Sequence, residues 1–257
     1  MHNEPITNAT FDQPITLLGV WAHPDDESYL SAVAMHRVAK AGGHVVLATA
    51  TRGELGGSNH DPRQLATRRE RELRTAMSVL GVDDVRFLGY ADGDCADADF
   101  QAATGSIAAL IADVRPDVIV TFGPDGMTNH PDHIAVSRWT TAAAVDAGHE
   151  NLFYTTFTEE FAQLHGDLHT RLGVWMGEGD PPAVPVADLD LHIVPTPREL
   201  ELKRRALHAH ESQISPLVGM IGADAFDGWW TDEFFRRPTS DELSDYELTG
   251  AAPCRAR

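Results

Sequence analysis

The first half of the chain alternates two hydrophobic patterns. "ITLLGVWA" (15–22) is a short apolar run with β-branched residues, and it predicts a buried strand. Glu27 to Ala41 then puts Leu30, Val33, Ala34, Val38 and Ala41 at helical spacing, with Gly42-Gly43 as the stop. "HVVLATAT" (44–51) predicts a second strand. Pro62 to Leu80 predicts a helix with Leu65, Leu73, Ala76, Met77 and Leu80 on its inner face and Gly81 behind it. "VRFLGY" (85–90), a helix over 99–114, "DVIVTFGP" (117–124), a helix from Pro131 to Ala147 and "NLFYTTF" (151–157) continue the alternation.

Strands alternating with helices predict an α/β fold with a mostly parallel sheet flanked by helices. Right-handed crossovers put the loops that follow the strands at one edge of such a sheet, where open α/β sheets bind ligands. The loops after strands one to four are therefore expected to converge. Beyond Phe157 the pattern weakens. Residues 158–196 are mixed, with "GEGDPPAVPVADLD" as a loop-like insert. Thr196-Pro197-Arg198-Glu199 starts a helix, with a Thr cap, Pro at the first position and Glu at the third. That helix is expected to run to about Ser212. Residues 215–237 are aromatic and irregular and are expected to lie over the site; core packing is the default for Phe226, Trp229, Trp230, Phe234 and Phe235. The pattern divides the chain into a polar N-terminal arm (1–14), a single α/β domain (15–237) and an acidic, mobile tail (238–257).

Composition narrows the function classes. With 42% hydrophobic and 23% charged residues, the 257-residue chain reads as an ordinary globular protein. A formal charge of −19 argues against nucleic acid or anionic membrane as a partner of the general surface. No apolar run approaches a membrane span, and the first residues show neither a basic n-region nor an apolar h-region. Cys95 and Cys254 make no disulfide framework and no thiolate metal motif, which fits a reducing cytoplasm.

The charge is placed unusually. "WAHPDDESYL" (21–30) sets His23, Asp25, Asp26 and Glu27 where the first strand ends. "GPDGMTNHPDHIAVS" (123–137) sets His130, Asp132 and His133 after the fourth strand. His23 and Asp26 are three apart across a strand-to-helix turn, so imidazole and carboxylate can face one point. His133 falls in the first helical turn, because Pro131 favours the first position; His130, before a proline, is extended. Two histidines and one carboxylate leave a metal position open for water, the mark of a catalytic rather than a structural site. A carboxylate beside the metal but not bound to it can take a proton from that water. The remaining histidine can protonate a leaving amine or steady an oxyanion. Residue types and spacing leave open which Asp and which His bind. Helix capping alone would account for the acids but not for three histidines among them. His36, His44, His149, His165, His169 and His208 read as solvated or locally bonded, and "TRGELGG" lacks the Lys and spacing of a nucleotide loop.

The pair "AHPDDE" and "HPDH" resembles the two signatures of the PIG-L/LmbE-like deacetylase superfamily. "ATRGELGG", "RERELRTAMSVLGV" with Arg69 and Glu72, "VRFLGYADGD", and "LKRRALHAHESQ" with Lys203, His210, Ser212 and Gln213 extend the likeness over roughly residues 15–215. The resemblance implies a Rossmann-like fold with the metal site at the C-terminal edge of the strands. It implies a zinc-dependent hydrolase (iron(II) would accept the same donors) that removes N-acetyl groups from N-acetylglucosamine-containing small molecules. It implies His23, Asp26 and His133 as metal ligands, Asp25 as general base acting on a metal-activated water, His130 as acid or oxyanion partner, and Arg69 and Asp92 as substrate contacts. Two positions depart from the pattern: Thr128 stands where thiol-pathway members have tyrosine, and Ala91-Asp92-Gly93-Asp94 stands for their Arg-Asp-Ser-Gly. Amidases of mycothiol-type thiol-sugar conjugates form a related branch and an alternative activity. From other classes, a non-heme iron(II) oxygenase would share the two-His-one-carboxylate set but typically on a barrel scaffold, and a non-catalytic binding module would lack Asp25 or a ligand.

Overall fold

The apolar run at the start of the chain forms strand β1 (Thr16–Trp21), and the sheet is built outward from it on both sides. The computed structural model describes residues 7–57 and 61–247. After β1 come α1 (Asp26–Leu30), α2 (Ala32–Lys40), β2 (His44–Thr49), α3 (Pro62–Leu80), β3 (Asp84–Phe87), α4 (Phe100–Val114), β4 (Val118–Phe122), α5 (Pro131–Asp146) and β5 (Leu152–Thr155). The second half adds β6 (Phe157–Thr158), α6 (Glu159–Leu172), β7 (Ala183–Val184), β8 (Leu191–Ile193), α7 (Pro197–Ala209), α8 (Glu211–Ile221), α9 (Ala223–Asp227), β9 (Glu233–Arg236) and α10 (Ser240–Glu247).

The sheet order is β3-β2-β1-β4-β5-β9-β8. The first five are parallel; β9 runs antiparallel to β5, and β8 antiparallel to β9. This is the mostly parallel α/β sheet that the alternation predicts, and it is open rather than closed into a barrel. The chain moves from β1 outward to β3, then returns across β1 to β4. Right-handed crossovers in opposite directions put the intervening helices on opposite faces. α2, α3 and α7 pack together as one layer, α4 and α5 as the other. β1 and β4 are buried along their lengths, as central parallel strands are.

The reversal of strand order falls between β1 and β4, and at such a switch point the two following loops diverge and leave a crevice. The motifs with His23 and with His130 and His133 are the two walls of that crevice.

Local chemistry sets the element ends. Asp61 accepts from Gln64 N at the start of α3, Pro62 takes its first turn, and Gly81 ends it in the left-handed conformation. The single helix expected over Glu27–Ala41 is two. The chain breaks at Ser31, and the freed N–H groups of Val33 and Ala34 donate to the Glu233 carboxylate at 2.8 and 3.0 Å. Strand β9 thus caps α2, and Lys203 of α7 completes the buried group at 3.0 Å from Glu233. The helix expected to reach Ser212 ends at Ala209; His210 turns the chain before α8 begins.

The mixed segment after Phe157 holds α6, capped by Thr158 and closed by Gly173, and the edge strand β8. The aromatic segment 215–237 is more regular than expected, containing α8, α9 and β9. Within the span read as an arm, Phe11 is fully buried in the core. Within the span read as a mobile tail, Ser240–Glu247 is helical and packs on α5, and Glu242 pairs with Arg236 at 2.7 Å. Residues 1–6 and 248–257 lie outside the described residues. Among the described residues no helix is long and apolar enough to cross a membrane.

Candidate metal centre and active site

His23 leaves the end of β1 two residues beyond Trp21, and His133 stands on the first turn of α5 beside it. Their rings approach edge to edge, with His23 Nδ1 3.1 Å from His133 Nε2. Each ring has its other nitrogen committed. His133 Nδ1–H donates to the Gly126 carbonyl at 2.9 Å, and Phe122 stacks flat on the ring at 4.2 Å. His23 Nε2 lies 3.1 Å from Asp132 Oδ2 and 3.1 Å from Asp92 Oδ1, so it carries the proton those carboxylates accept. Two imidazoles oriented this way point lone pairs at each other. Asp26 closes the third side: Oδ1 is 3.4 Å from His133 Nε2 and Oδ2 is 3.8 Å from His23 Nδ1.

Buried lone pairs and a carboxylate aimed at one point repel unless a proton or a cation lies between them. Burial lowers the His23 pKa, but Asp132, Asp92 and Asp26 outweigh it and push it up to about 10. Burial, then the positive charge of His23, holds His133 well below the ordinary histidine range, leaving its Nε2 a lone-pair donor. The donor set therefore fits a divalent cation with an open position.

Asp92 and Asp132 also lie within ligand distance of His23, but their oxygens are taken. Asp132 accepts from Gly93 N at 2.8 Å and Cys95 N at 3.1 Å, and Asp92 accepts from Leu55 N at 2.8 Å. They orient the His23 ring, as carboxylates behind metal-binding histidines do. Sequence reasoning listed Asp132 in the motif without giving it this task. The contact spans three loops, so only the convergence of strand ends could have pointed to it.

Asp25 stands next to Asp26 but faces elsewhere. Its backbone takes φ 127°, which is costly for a non-glycine residue. Several contacts hold it there. Its N–H donates to Glu27 Oε2 at 3.0 Å, and its Oδ2 lies 3.2 Å from Arg69 Nη2. Burial raises the Asp25 carboxyl above its ordinary range, with Arg69 opposing. Met127 and Asn129, in the facing loop, also take positive φ, at 64° and 58°, so backbone strain gathers on both walls of the crevice.

Arg69 is buried, and its guanidinium donates to the carbonyls of Gly53 and Pro24. A Cβ on Gly53 would come within 2.2 Å of that guanidinium, which accounts for glycine in "TRGELGG". Gly126 has the same logic: φ is 63°, and a Cβ would meet His133 Cβ at 2.9 Å. The two expected substrate contacts, Arg69 and Asp92, thus have their described hydrogen bonds to protein groups.

His130 caps α5: its Nδ1 accepts from Asp132 N at 3.2 Å, which leaves Nε2 as the protonated nitrogen of the neutral ring. Its ring centre is 4.9 Å from that of His23 and 5.0 Å from that of His133. Burial, then the charge of His23, lowers its pKa. Thr128 Oγ1 lies 3.3 Å from His133 Nδ1.

A third tier holds this one. Glu27, fully buried, accepts from Ser28 Oγ at 2.6 Å and from His210 Nε2 at 2.9 Å. Glu72 accepts from Ser212 N and Oγ at 2.9 and 2.6 Å. The late "LKRRALHAHESQ" stretch is therefore a clamp that ties α7 and α8 to the first motif and to α3. Most of the histidines set aside from the sequence have local partners: His36 with Leu80 O, His149 with Pro116 O, His44 with Asp84 and His208 with Asp227.

The chain is similar to known proteins in sequence and in fold. The chain is 36% identical to the 1D-myo-inositol 2-acetamido-2-deoxy-alpha-D-glucopyranoside deacetylase of Kineococcus radiotolerans, over 79% of this chain and 70% of that one. The fold is shared with the N,N'-diacetylchitobiose deacetylase of Pyrococcus horikoshii, at a TM-score of 0.60 and 18% identity over 97% of this chain and 91% of that one. It is shared also with the 4-carboxy-2-hydroxymuconate hydratase of Pseudomonas putida, at a TM-score of 0.57 and 15% identity over 88% and 98% of the two chains. The hydratase shows that this fold alone does not name a reaction. Residues 18–144, which contain both histidine motifs, match the family described as PIG-L, GlcNAc-PI de-N-acetylase, and the chain belongs to that family.

Proposed function

We propose that the protein is a divalent-metal-dependent amide hydrolase that removes the N-acyl group of an N-acetylglucosamine-type conjugate, with His23, Asp26 and His133 as ligands and zinc as the cation. One observation carries the reading: two orientationally fixed imidazoles aim free nitrogens at one point beside Asp26, with a second carboxylate, Asp25, held next to that point by Arg69. The deacetylase relatives support the amino-sugar amide as substrate. The cysteine count supports a reducing cytoplasm as the place of action.

Bound there, the cation would polarise the amide carbonyl and acidify a water. Asp25 takes the proton of the attacking water. Burial, against the opposing charge of Arg69, raises its carboxyl above the ordinary range, which makes it a stronger base. Arg69 keeps it on the water side and away from the ligand set. His130 presents Nε2–H to the oxygen that becomes negative as the carbonyl carbon turns tetrahedral. Because Nδ1 is engaged by the helix N-terminus, the neutral, donating ring is the resting form; this favours the oxyanion role over that of a charged acid. The proton held by Asp25 then returns to the departing amine. Asp92 and Asp132 keep His23 in the tautomer that leaves Nδ1 free.

Two isosteric variants test the division of labour. Asp25→Asn should keep the metal and the fold and lose turnover by about three orders of magnitude or more. Asp26→Asn should lose metal first. If Asp25→Asn loses the metal while Asp26→Asn keeps it, the roles are exchanged; if Asp25→Asn remains fully active, the mechanism is wrong.

A further inference from the structure

A cavity of about 290 Å³ opens beside His133. Its walls come from distant parts of the chain: Met127 after β4, Leu172 at the end of α6, Leu217 on α8, and Trp229 and Trp230 before β9. His133 and Thr128 are among its lining residues, so it adjoins the side chain whose Nε2 faces the proposed metal position. It is lined almost wholly by hydrocarbon and indole. A saccharide, with a hydroxyl on nearly every carbon, would lose its water there and find few partners. The group that fits is hydrocarbon.

An N-acyl amino sugar has one hydrocarbon end, the acyl substituent. The cavity adjoins His133, so an amide carbonyl at the proposed metal position has this hydrocarbon space within reach of that substituent. A methyl group would leave most of the cavity unfilled: an apolar cavity of about 150 Å³ already holds benzene. We propose that the cavity is an acyl-chain pocket, and that the preferred substrate is an amino-sugar amide carrying an acyl chain on the order of four to eight carbons rather than acetyl. This rests on the amide-hydrolase reading above and adds the chemical class of the acyl group.

The test is a series of N-acyl glucosamines (acetyl, butanoyl, hexanoyl, octanoyl) on the metal-loaded protein, with Leu217→Trp alongside. Leu217 is half-buried and lines the cavity, so a larger ring there takes up cavity volume. Each methylene buried is worth roughly a threefold to fourfold gain in kcat/KM. Hexanoyl should therefore exceed acetyl at least tenfold, and Leu217→Trp should bring the hexanoyl-to-acetyl ratio of kcat/KM down to about one. Acetyl turned over as well as or better than the longer chains would overturn the pocket assignment and leave amide hydrolysis standing. An octyl glycoside of N-acetylglucosamine preferred over the free sugar, with a flat acyl series, would give the cavity to the aglycone and also overturn it. Calorimetric titration with hexanoate and acetate supplies a readout apart from turnover. If no amide is cleaved, the hydrolase reading fails. In that case hexanoate binding to the wild type but not to Leu217→Trp still supports the hydrocarbon pocket, and its absence overturns it.

Discussion

At the scale of single residues, the centre depends on committing one nitrogen of each imidazole so that the other is free. Asp92 and Asp132 do this for His23, and Gly126 does it for His133. His130 is committed in the opposite sense, with its acceptor nitrogen on the helix and its donor outward. His130→Ala should leave metal content unchanged and slow turnover by roughly a hundredfold to a thousandfold, the usual worth of an oxyanion donor. Normal turnover with full metal would make His130 only a helix cap. The motif residues were legible because chemistry-bearing side chains outnumber what capping needs. Their tautomers were not, since these are fixed by Gly126, Asp92 and Asp132, whose positions follow from folding. The resemblance offered Arg69 as a substrate contact; its contacts with Asp25, Pro24 and Gly53 join α3 to two separate loops and were not legible.

At the scale of elements, the first five strands and the helices between them were legible from periodicity, because each is buried in a repeating βαβ frame. Helix α6 had its signals too, with Thr158 as cap, Gly173 as stop, and Phe161, Leu168 and Leu172 facing the core. Gly166 in its middle and the 76% exposed Leu164 blurred the apolar stripe. Strands β8 and β9 had no local signal, since they pair with each other across about forty residues. What they contribute is Glu233, which holds α2 and Lys203 together. Lys203→Met should cost about 3–5 kcal/mol by leaving a buried carboxylate without its cation, and Lys203→Met with Glu233→Gln should recover part of the loss. Denaturant unfolding of the three variants checks it; a loss under 1 kcal/mol would make the pair peripheral. Helix α6 carries an acid-sensitive contact. Trp229 Nε1–H donates to His169 Nε2 at 2.9 Å, and burial lowers the pKa of His169 to about 4. The unfolded chain takes this proton near pH 6.5, whereas the folded chain refuses it down to about pH 4. The stability contributed by His169 is therefore whole above pH 6.5 and falls as the pH drops towards 4. His169→Phe should flatten the pH dependence of unfolding over that window; parallel curves for wild type and variant would contradict the assignment.

At the scale of the whole molecule, strand order decides where function is. The switch point between β1 and β4 brings together motifs more than a hundred residues apart, and the second half of the chain supplies the clamp from α7 and α8 and much of the apolar wall beside His133. The same scaffold serves a hydratase elsewhere, so the reaction has to be read from side chains and not from the fold. The core is apolar and continuous without the centre, and removing metal should leave a cooperatively folded protein. The most direct test of the account is therefore a metal titration: protein stripped by chelation, given zinc in sub-stoichiometric steps, and assayed at each step for hydrolysis of an N-acyl glucosamine amide. The account predicts no turnover in the stripped protein and a linear rise that ends at one zinc per chain. Full turnover before any metal is added, or zinc bound to saturation with no amide cleaved, would contradict it.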